Sequence, residues 1–276
     1  QGPLQPGLFE IPGNVSSQFI SGLLFAAGLM PDTTKIAVLP PYESRDYVHM
    51  TVSALKAFGI CVTQPTDHGY VIPGHQTYRP RQLQVEGDWS QAAFPAVFAA
   101  LKGSVNLEGL NRDSLQGDKV IADILQQAGA GVSWHSGTLT IAAPDHPLQP
   151  LDVDLGPCPD LGPALCVLAS FIPGTSIIRN AGRLRIKESD RIAAMEEELK
   201  KWGVQISSTE DTITIQGALQ HRQSQPVTIN SHNDHRIAMA MAVFGWCAAS
   251  DSVIEDAGAV TKSWPDFFGD MQEVLK

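Results

Sequence analysis

A chain of 276 residues, 43% hydrophobic and 17% charged, is long enough for two globular domains, and no apolar run in it approaches a membrane span. A formal net charge of −10 argues against nucleic acid or an acidic membrane as the main partner. Four scattered cysteines (Cys61, Cys158, Cys166, Cys247), with no CxxC pair, argue against a disulfide framework or thiolate metal site and suit a cytoplasmic protein. The chain opens Gln1-Gly2-Pro3 without Met or a signal-peptide pattern, as expected of a processed chain or a piece of something longer.

In chain order, hydrophobic periodicity predicts a repeat. A strand at 8–11 leads through Gly13-Asn14-Val15-Ser16-Ser17-Gln18 into a helix over 19–27. A strand at 35–39, a helix over 47–58 closed by Gly59, and a hairpin of 61–63 with 70–72 follow. The second unit runs from a strand at 83–85 through Asp88 and Ser90 into a helix ending at Leu101. It continues with a strand at 105–107, a helix over 118–127, Gly129, and a hairpin turning at Ser136-Gly137. The third has a strand at 151–155, a helix over 164–171, and a strand at 176–179. A charged stretch, an amphipathic helix ending at Gly203, and a hairpin of 204–206 with 212–215 complete it. The fourth has a strand at 227–229, a helix from about 235 to 248, a strand at 252–254 and a helix over 265–275, with no hairpin after it. The helix-opening residues Ser17, Ser90, Asp160 and Asn233 are 73, 70 and 73 apart, and the closing glycines Gly59, Gly129 and Gly203 are 70 and 74 apart. An α/β (α+β) fold of repeated βαβαββ units follows. Strands from outside the chain are expected to complete the last sheet.

Five of the nineteen Lys and Arg residues fall between Arg179 and Arg191. The stretch Arg183-Leu184-Arg185-Ile186-Lys187-Glu188-Ser189-Asp190-Arg191 stands at the start of a helix whose apolar stripe is Ile192, Met195, Leu199 and Trp202. Cations at that end oppose the helix dipole, and Lys187 and Arg191 have a repulsive i, i+4 spacing. Arg236 and Lys262 likewise precede or open helices. Four such cations predict a multiply charged anion held at helix N-termini. Ser16 and Ser17 suit a phosphate or a simple N-cap, Ser90 and Asn233 read as caps, and Asp160 reads as a cap or a general base. His235 alone reads as a core or cap histidine and Glu188 alone as a first-turn acid. No Walker loop, GxGxxG, HExxH or nucleophile elbow occurs, so neither a metal nor a dinucleotide cofactor is expected.

At these residues the sequence resembles the EPSP synthase (3-phosphoshikimate 1-carboxyvinyltransferase) family. The matching stretches are Pro12 to Gln18, Val85-Glu86-Gly87-Asp88, Leu184 to Arg191, Asn233-Asp234-His235-Arg236, and Thr261 to Asp266, in family order along the chain. The resemblance implies an inside-out α/β barrel of the enolpyruvyl transferase type, with two domains of three βαβαββ units each. Residues 1–84 would be part of the shikimate 3-phosphate domain, and 85–276 the second domain without its last hairpin.

The implied reaction moves the carboxyvinyl group of phosphoenolpyruvate to the 5-hydroxyl of shikimate 3-phosphate, releasing phosphate through a tetrahedral intermediate. By matching position, Ser16, Ser17 and Ser44 would hold the shikimate phosphate, with Gln18 against the ring and Tyr47 at the cleft edge. Asp160 would take the hydroxyl proton and Lys187 would bond the same substrate. Glu188 would give and retake the methylene proton. Arg191, Arg236 and Lys262 would clamp phosphoenolpyruvate, with His235 nearby. Arg183 stands where some members have Asn, and no role is assigned to it. The expected protein is a cytoplasmic monomer using two small anions, no cofactor, no membrane and no nucleic acid. Because the family's N-terminal Lys-Ser…Arg motif and Gly-rich loop have no counterpart, the expectation for the chain alone is inactivity with at most weak anion binding. A related transferase acting on a nucleotide sugar is the other reading, and the Lys-Glu-Ser-Asp-Arg stretch argues against it.

Overall fold

The computed structural model describes residues 4–43, 45–248 and 250–274, which separate into two compact units. One holds residues 1–85 with 115–117, and the other 86–114 with 118–276. Among the described residues no helix is long and apolar enough to cross a membrane.

The first unit contains one complete repeat. Strand β1 (Leu8–Pro12) is followed by α1 (Ser17–Ala27), β2 (Thr34–Leu39), α2 (Arg45–Ala57), β3 (Thr63–Thr66) and β4 (Gly69–Ile72). The sheet order is β1-β2-β4-β3, with β1 and β2 parallel and the other pairs antiparallel. Parallel neighbours need a crossover, and α1 supplies it. Ile20 and Leu24 of α1 pack with Ile36, Val38, Val48, Leu55 and Tyr70 in this unit's own core. Gly13 joins two turns here: an added Cβ would lie 2.7 Å from the Pro41 carbonyl oxygen and 2.8 Å from that of Leu39. Its N–H donates to Leu39 O at 2.9 Å, and its carbonyl accepts from Glu43 N at 3.2 Å.

The second unit carries the remaining three repeats. The first of them comprises α3 (Trp89–Lys102), β5 (Ser104–Leu107), α4 (Ile121–Ala128), β6 (Gly131–His135) and β7 (Thr138–Ala142). Next come β8 (Asp152–Asp154), α5 (Gly162–Ser170), β9 (Gly174–Arg179), α6 (Arg191–Lys201), β10 (Gln205–Ser208) and β11 (Ile213–Gly217). The last comprises β12 (Val227–Asn230), α7 (His235–Cys247), β13 (Ser252–Glu255) and α8 (Phe267–Val274). The middle sheet, β10-β11-β9-β8, repeats the order and pairing senses of the first unit's sheet. The other two sheets are β5-β7-β6 and the parallel pair β12-β13. Residues 83–85, expected as a strand, are irregular, and Val85 is 89% exposed; among the described residues Leu83-Gln84-Val85 has no paired strand to hold it extended.

Helices α3, α5 and α7 pack on one another in the centre. A helix apolar all round is a buried one, and every residue of α5 is buried. Ala93, Ala96, Ala99 and Ala100 keep α3 slim enough for close approach. The one-sided helices α4 and α6 lie outside them, with α6 turning Ile192, Met195 and Leu199 inward. Helices at the core with sheets around them make this the inside-out α/β arrangement.

The end of β11 passes so close to α5 that a Cβ on Gly217 would collide with the carbonyl oxygens of Ala169 and Ile172. Both obstacles are backbone and cannot turn aside. Gly217→Ala is therefore expected to destabilise the second unit by about 1–3 kcal/mol or more. Urea titration should show a lowered midpoint at unchanged slope; an unchanged midpoint would contradict the packing.

Candidate active site

The N-terminal ends of α5, α6 and α7 meet around one carboxylate. Asp160 lies in a 3₁₀ turn (Pro159–Leu161) ahead of α5. The helix that follows has no side-chain cap and carries Pro163 in its first turn, whose nitrogen has no proton to satisfy. Asp160 is thus released from capping, and its carboxylate meets only cations. Arg191 Nη1 donates to Oδ1 at 3.1 Å, Arg236 Nη2 to Oδ2 at 3.1 Å, and Lys187 Nζ lies 3.4 Å from Oδ1. Gly162 allows this convergence, because an added Cβ would lie 2.6 Å from Leu184 Cδ1 on the turn that leads to Lys187.

Lys187 is not in the helix. It is extended, directly after a 3₁₀ turn (Gly182–Ile186), and α6 begins at Arg191. Lys187 and Arg191 are therefore not an i, i+4 pair on one helix, and Asp160, shared by both cations, offsets the repulsion between them. The expected clash with the helix dipoles is also answered. Asp190 caps α6 by accepting from Ala193 N at 3.0 Å, and Asp234 caps α7 by accepting from Arg236 N at 2.9 Å. The caps of α3 and α7 are Asp88 and Asp234, not Ser90 and Asn233. Ser90 Oγ accepts instead from Arg236 Nη2 at 2.9 Å, so Arg236 ties the starts of α3 and α5 to its own helix.

Arg191 is 2% exposed and Asp234 is fully buried. Arg191 Nε and Nη2 donate to the two Asp234 oxygens at 2.8 and 3.2 Å, and Ser189 Oγ adds a third bond at 3.0 Å. A bidentate pair of this kind satisfies both desolvated charges; removing one partner would cost about 3–5 kcal/mol. Beside it, Glu188 Oε2 lies 2.9 Å from His235 Nδ1 and Oε1 lies 2.5 Å from Lys262 Nζ. Lys262 ends a 3₁₀ turn (Ala257–Lys262), so α8 does not place it as expected. A cavity of about 630 Å³ opens on this edge, lined by Glu188, Asn233, Asp256, Thr261 and Lys262.

Burial alone would raise the Asp160 carboxyl, but Arg236, Lys187 and Arg191 outweigh it and hold it at about 2. Lys187 moves down as well: burial leads, Arg183 and Arg191 push the same way, and Asp160 only partly opposes them. The Asp160 shift reflects the cations around a single carboxylate, and the Lys187 shift reflects first its burial and then the neighbouring guanidinium groups. His235 is lowered by burial and then by Arg236, against the pull of Glu188 and Asp234.

In the first unit, Ser16 caps α1 by accepting from Gln18 N at 3.2 Å and keeps its hydroxyl proton to donate. Ser17 opens the helix, Gln18 is exposed, and Tyr47 lies in the first turn of α2. Ser44 lies outside the described residues.

A profile of the family described as EPSP synthase (3-phosphoshikimate 1-carboxyvinyltransferase) matches residues 2–271. The chain belongs to the EPSP synthase family. It is 39% identical to the 3-phosphoshikimate 1-carboxyvinyltransferase of Clostridium beijerinckii over 99% of its own length and 62% of that protein's. It is 41% identical to the one from Methanocorpusculum labreanum, over 99% and 63% of the two lengths. An EPSP synthase structure from Acinetobacter baumannii superimposes with a TM-score of 0.82 at 27% identity, covering 98% of this chain and 63% of that one. The enolpyruvyl transferase NikO from Streptomyces tendae shares the fold, with a TM-score of 0.76 at 16% identity over 98% of this chain and 64% of NikO. The chain thus spans just under two thirds of the length of these relatives.

Asp234, Ser189 and Ser90 were not among the expected site residues of this EPSP synthase family chain. The sequence placed the cap one residue early, at Asn233, and the partner of Asp234, Arg191, lies 43 residues away. Glu188, Asp234 and His235 could group around a metal ion, yet Arg191 and Lys262 already occupy their oxygens.

The depressed Asp160 carboxyl fixes a pH dependence. Its stabilising effect is complete above the unfolded-state value of about 3.9 and is lost as pH falls towards about 2. The contribution is on the order of 2–3 kcal/mol. Denaturant unfolding at pH 6 and pH 3 should show this acid loss in the unsubstituted chain and a flatter dependence in Asp160→Asn. Identical slopes against pH would refute the charge arrangement.

Proposed function

We propose that this chain carries the phosphoenolpyruvate side of a 3-phosphoshikimate 1-carboxyvinyltransferase site. The observation that carries the reading is the sharing of Asp160 by Lys187, Arg191 and Arg236, with the Glu188–His235–Lys262 group beside it. Arg191, Arg236 and Lys262 bind the phosphate and carboxylate of phosphoenolpyruvate, with His235 adjoining. Lys187 and Asp160 meet the 5-hydroxyl of shikimate 3-phosphate. In the first unit, Ser16, Ser17 and Ser44 take the shikimate phosphate, while Gln18 and Tyr47 border the ring.

The chemistry is addition followed by elimination. The 5-oxygen bonds to the central carbon of phosphoenolpyruvate while its proton passes to Asp160. Glu188 gives a proton to the methylene carbon, which becomes a methyl group in the tetrahedral adduct. The carbon–phosphate oxygen bond then breaks, the departing phosphate takes the proton held by Asp160, and Glu188 retakes a methyl proton. A carboxyl held at about 2 is a poor base at neutral pH. Arg236, by turning to the incoming anion, leaves Asp160 with one cation fewer. Its basicity rises as phosphoenolpyruvate arrives, so substrate binding itself prepares the base. His235 at 2.9 Å is the partner through which Glu188 exchanges its proton. The four scattered cysteines, without a CxxC pair, support a reducing, cytoplasmic setting, and the net charge of −10 supports small molecules rather than nucleic acid as partners of a monomer.

Calorimetric titration of this chain with phosphoenolpyruvate is expected to show binding that Arg236→Gln weakens at least about tenfold, as loss of a charged hydrogen-bonding partner implies. In the full-length protein, Glu188→Gln should cut turnover about 10²–10⁴-fold while phosphoenolpyruvate affinity stays within about threefold. Lost binding with turnover per bound complex preserved would assign Glu188 to binding and overturn its role as proton donor.

A further inference from the structure

A second buried carboxylate lies outside this site. Glu198 on α6 is fully buried and accepts four hydrogen bonds. Lys201 Nζ reaches its two oxygens at 2.9 and 2.8 Å, Asn230 N donates to Oε2 at 3.1 Å, and His232 Nε2 lies 2.9 Å from Oε1. Glu197, Glu198 and His232 also form a possible metal-ligand group, but Lys201 already brings positive charge to Glu198.

Asn230 and His232 belong to the turn between β12 and α7. That turn runs through two consecutive left-handed residues that are not glycine, His232 and Asn233, each with φ of 51°. Such strain persists only where the surroundings impose it. Asp234, His235 and Arg236 follow at once. Arg191 and Glu198 are seven residues apart on α6, two turns of helix, and so share a face. Arg191 grips Asp234 at the near end of the turn, and Glu198 grips Asn230 and His232 at the far end. Within the turn, Asn230 Oδ1 accepts from His232 N at 2.7 Å and Ser231 Oγ from Asn233 N at 3.3 Å.

We propose that Glu198, acting through Asn230 and His232, is a positioning residue for the anion site. It holds the strained turn in the one geometry that aims Asp234 at Arg191, His235 at Glu188 and Arg236 at Asp160. The functional part of this inference rests on the phosphoenolpyruvate reading above; the conformational part does not.

His232→Gly separates the bond from the strain, since glycine accepts a φ of 51° without steric cost and cannot reach Glu198. Glu198→Gln is the companion variant, keeping shape while removing charge. Amide hydrogen exchange on this chain is read without ligand, alongside thermal unfolding and phosphoenolpyruvate titration. Both variants are expected to speed exchange at residues 234–236 at least tenfold, with the rest of the second unit unchanged. Both should weaken phosphoenolpyruvate binding about tenfold, and the double variant should be no weaker than either single one. Unchanged exchange in His232→Gly would overturn the proposal. So would faster exchange with undiminished affinity, which would leave Glu198 a purely structural group. If the unsubstituted chain binds no phosphoenolpyruvate, the functional reading falls, while exchange still decides whether Glu198 sets the turn.

Discussion

The site depends on one constraint: a single carboxylate, Asp160, is asked to balance three cations. Lys187 and Arg191 lie four residues apart and Arg236 lies 45 residues beyond Arg191, and the mutual repulsion of the three would drive these elements apart without it. The balance is incomplete by design of the charges. One carboxylate cannot neutralise three cations, and Asp234 completes the pairing of only one, Arg191. The surplus stays in a partly buried place, where it is stronger than at a solvated surface. Lys187 and Asp160 both shift downward for different reasons: burial leads for Lys187, whereas Arg236, Lys187 and Arg191 together overcome burial for Asp160.

The repeat shows how that carboxylate became available. Asp88, Asp160 and Asp234 stand at corresponding places before the three inner helices α3, α5 and α7. Asp88 is spent on its own helix, accepting from Ser90 N at 2.8 Å and Gln91 N at 3.3 Å. Asp234 caps α7 and pairs Arg191 as well. Asp160 has no cap to make, because α5 opens with Gly162-Pro163 after a 3₁₀ turn. One repeated scaffold thus yields two structural acids and one that is free for side-chain cations. The difference lies in a single proline nitrogen that has no proton to offer.

Much of this was legible in the chain. Spacings of 70–74 residues disclosed the repeats, and the apolar periodicity located most helices and strands. It failed at residues 83–85, where Leu83 and Val85 flank Gln84 in the alternation of a strand but the segment is irregular. The charge cluster was recognised as unusual for the wrong local reason. Reading Lys187 as helical set it against Arg191 on one helix, whereas Asp160 bonds both and offsets their repulsion, and reading Arg191 and Arg236 against the dipole overlooked Asp190 and Asp234. Periodicity identifies a face but not its partner. The pairings Arg191–Asp234, Arg236–Ser90 and Glu198–His232 span 43, 146 and 34 residues, and only the folded chain brings them together.

Burial divides the site into two kinds of matter. Arg191 and Asp234 are desolvated together, bonded at both guanidinium edges, and cannot move without exposing an unpaired charge. That rigidity suits groups whose task is to present fixed charge to an anion, since no reorganisation is needed when it arrives. Glu188 and Lys262 are different: their side chains are 30% and 58% exposed, and each can rotate towards water at little cost. A proton donor to carbon must approach, give its proton and withdraw to retake one, which a locked carboxylate could not do. His235 stands between the two kinds, 6% exposed yet bonded to Glu188 rather than to the buried pair's guanidinium. In the proposed reaction the rigid half fixes where the anion sits, and the mobile half decides when the proton moves. The helix dipoles contribute to the first task only, because their N-termini end at the buried residues and not at the rim.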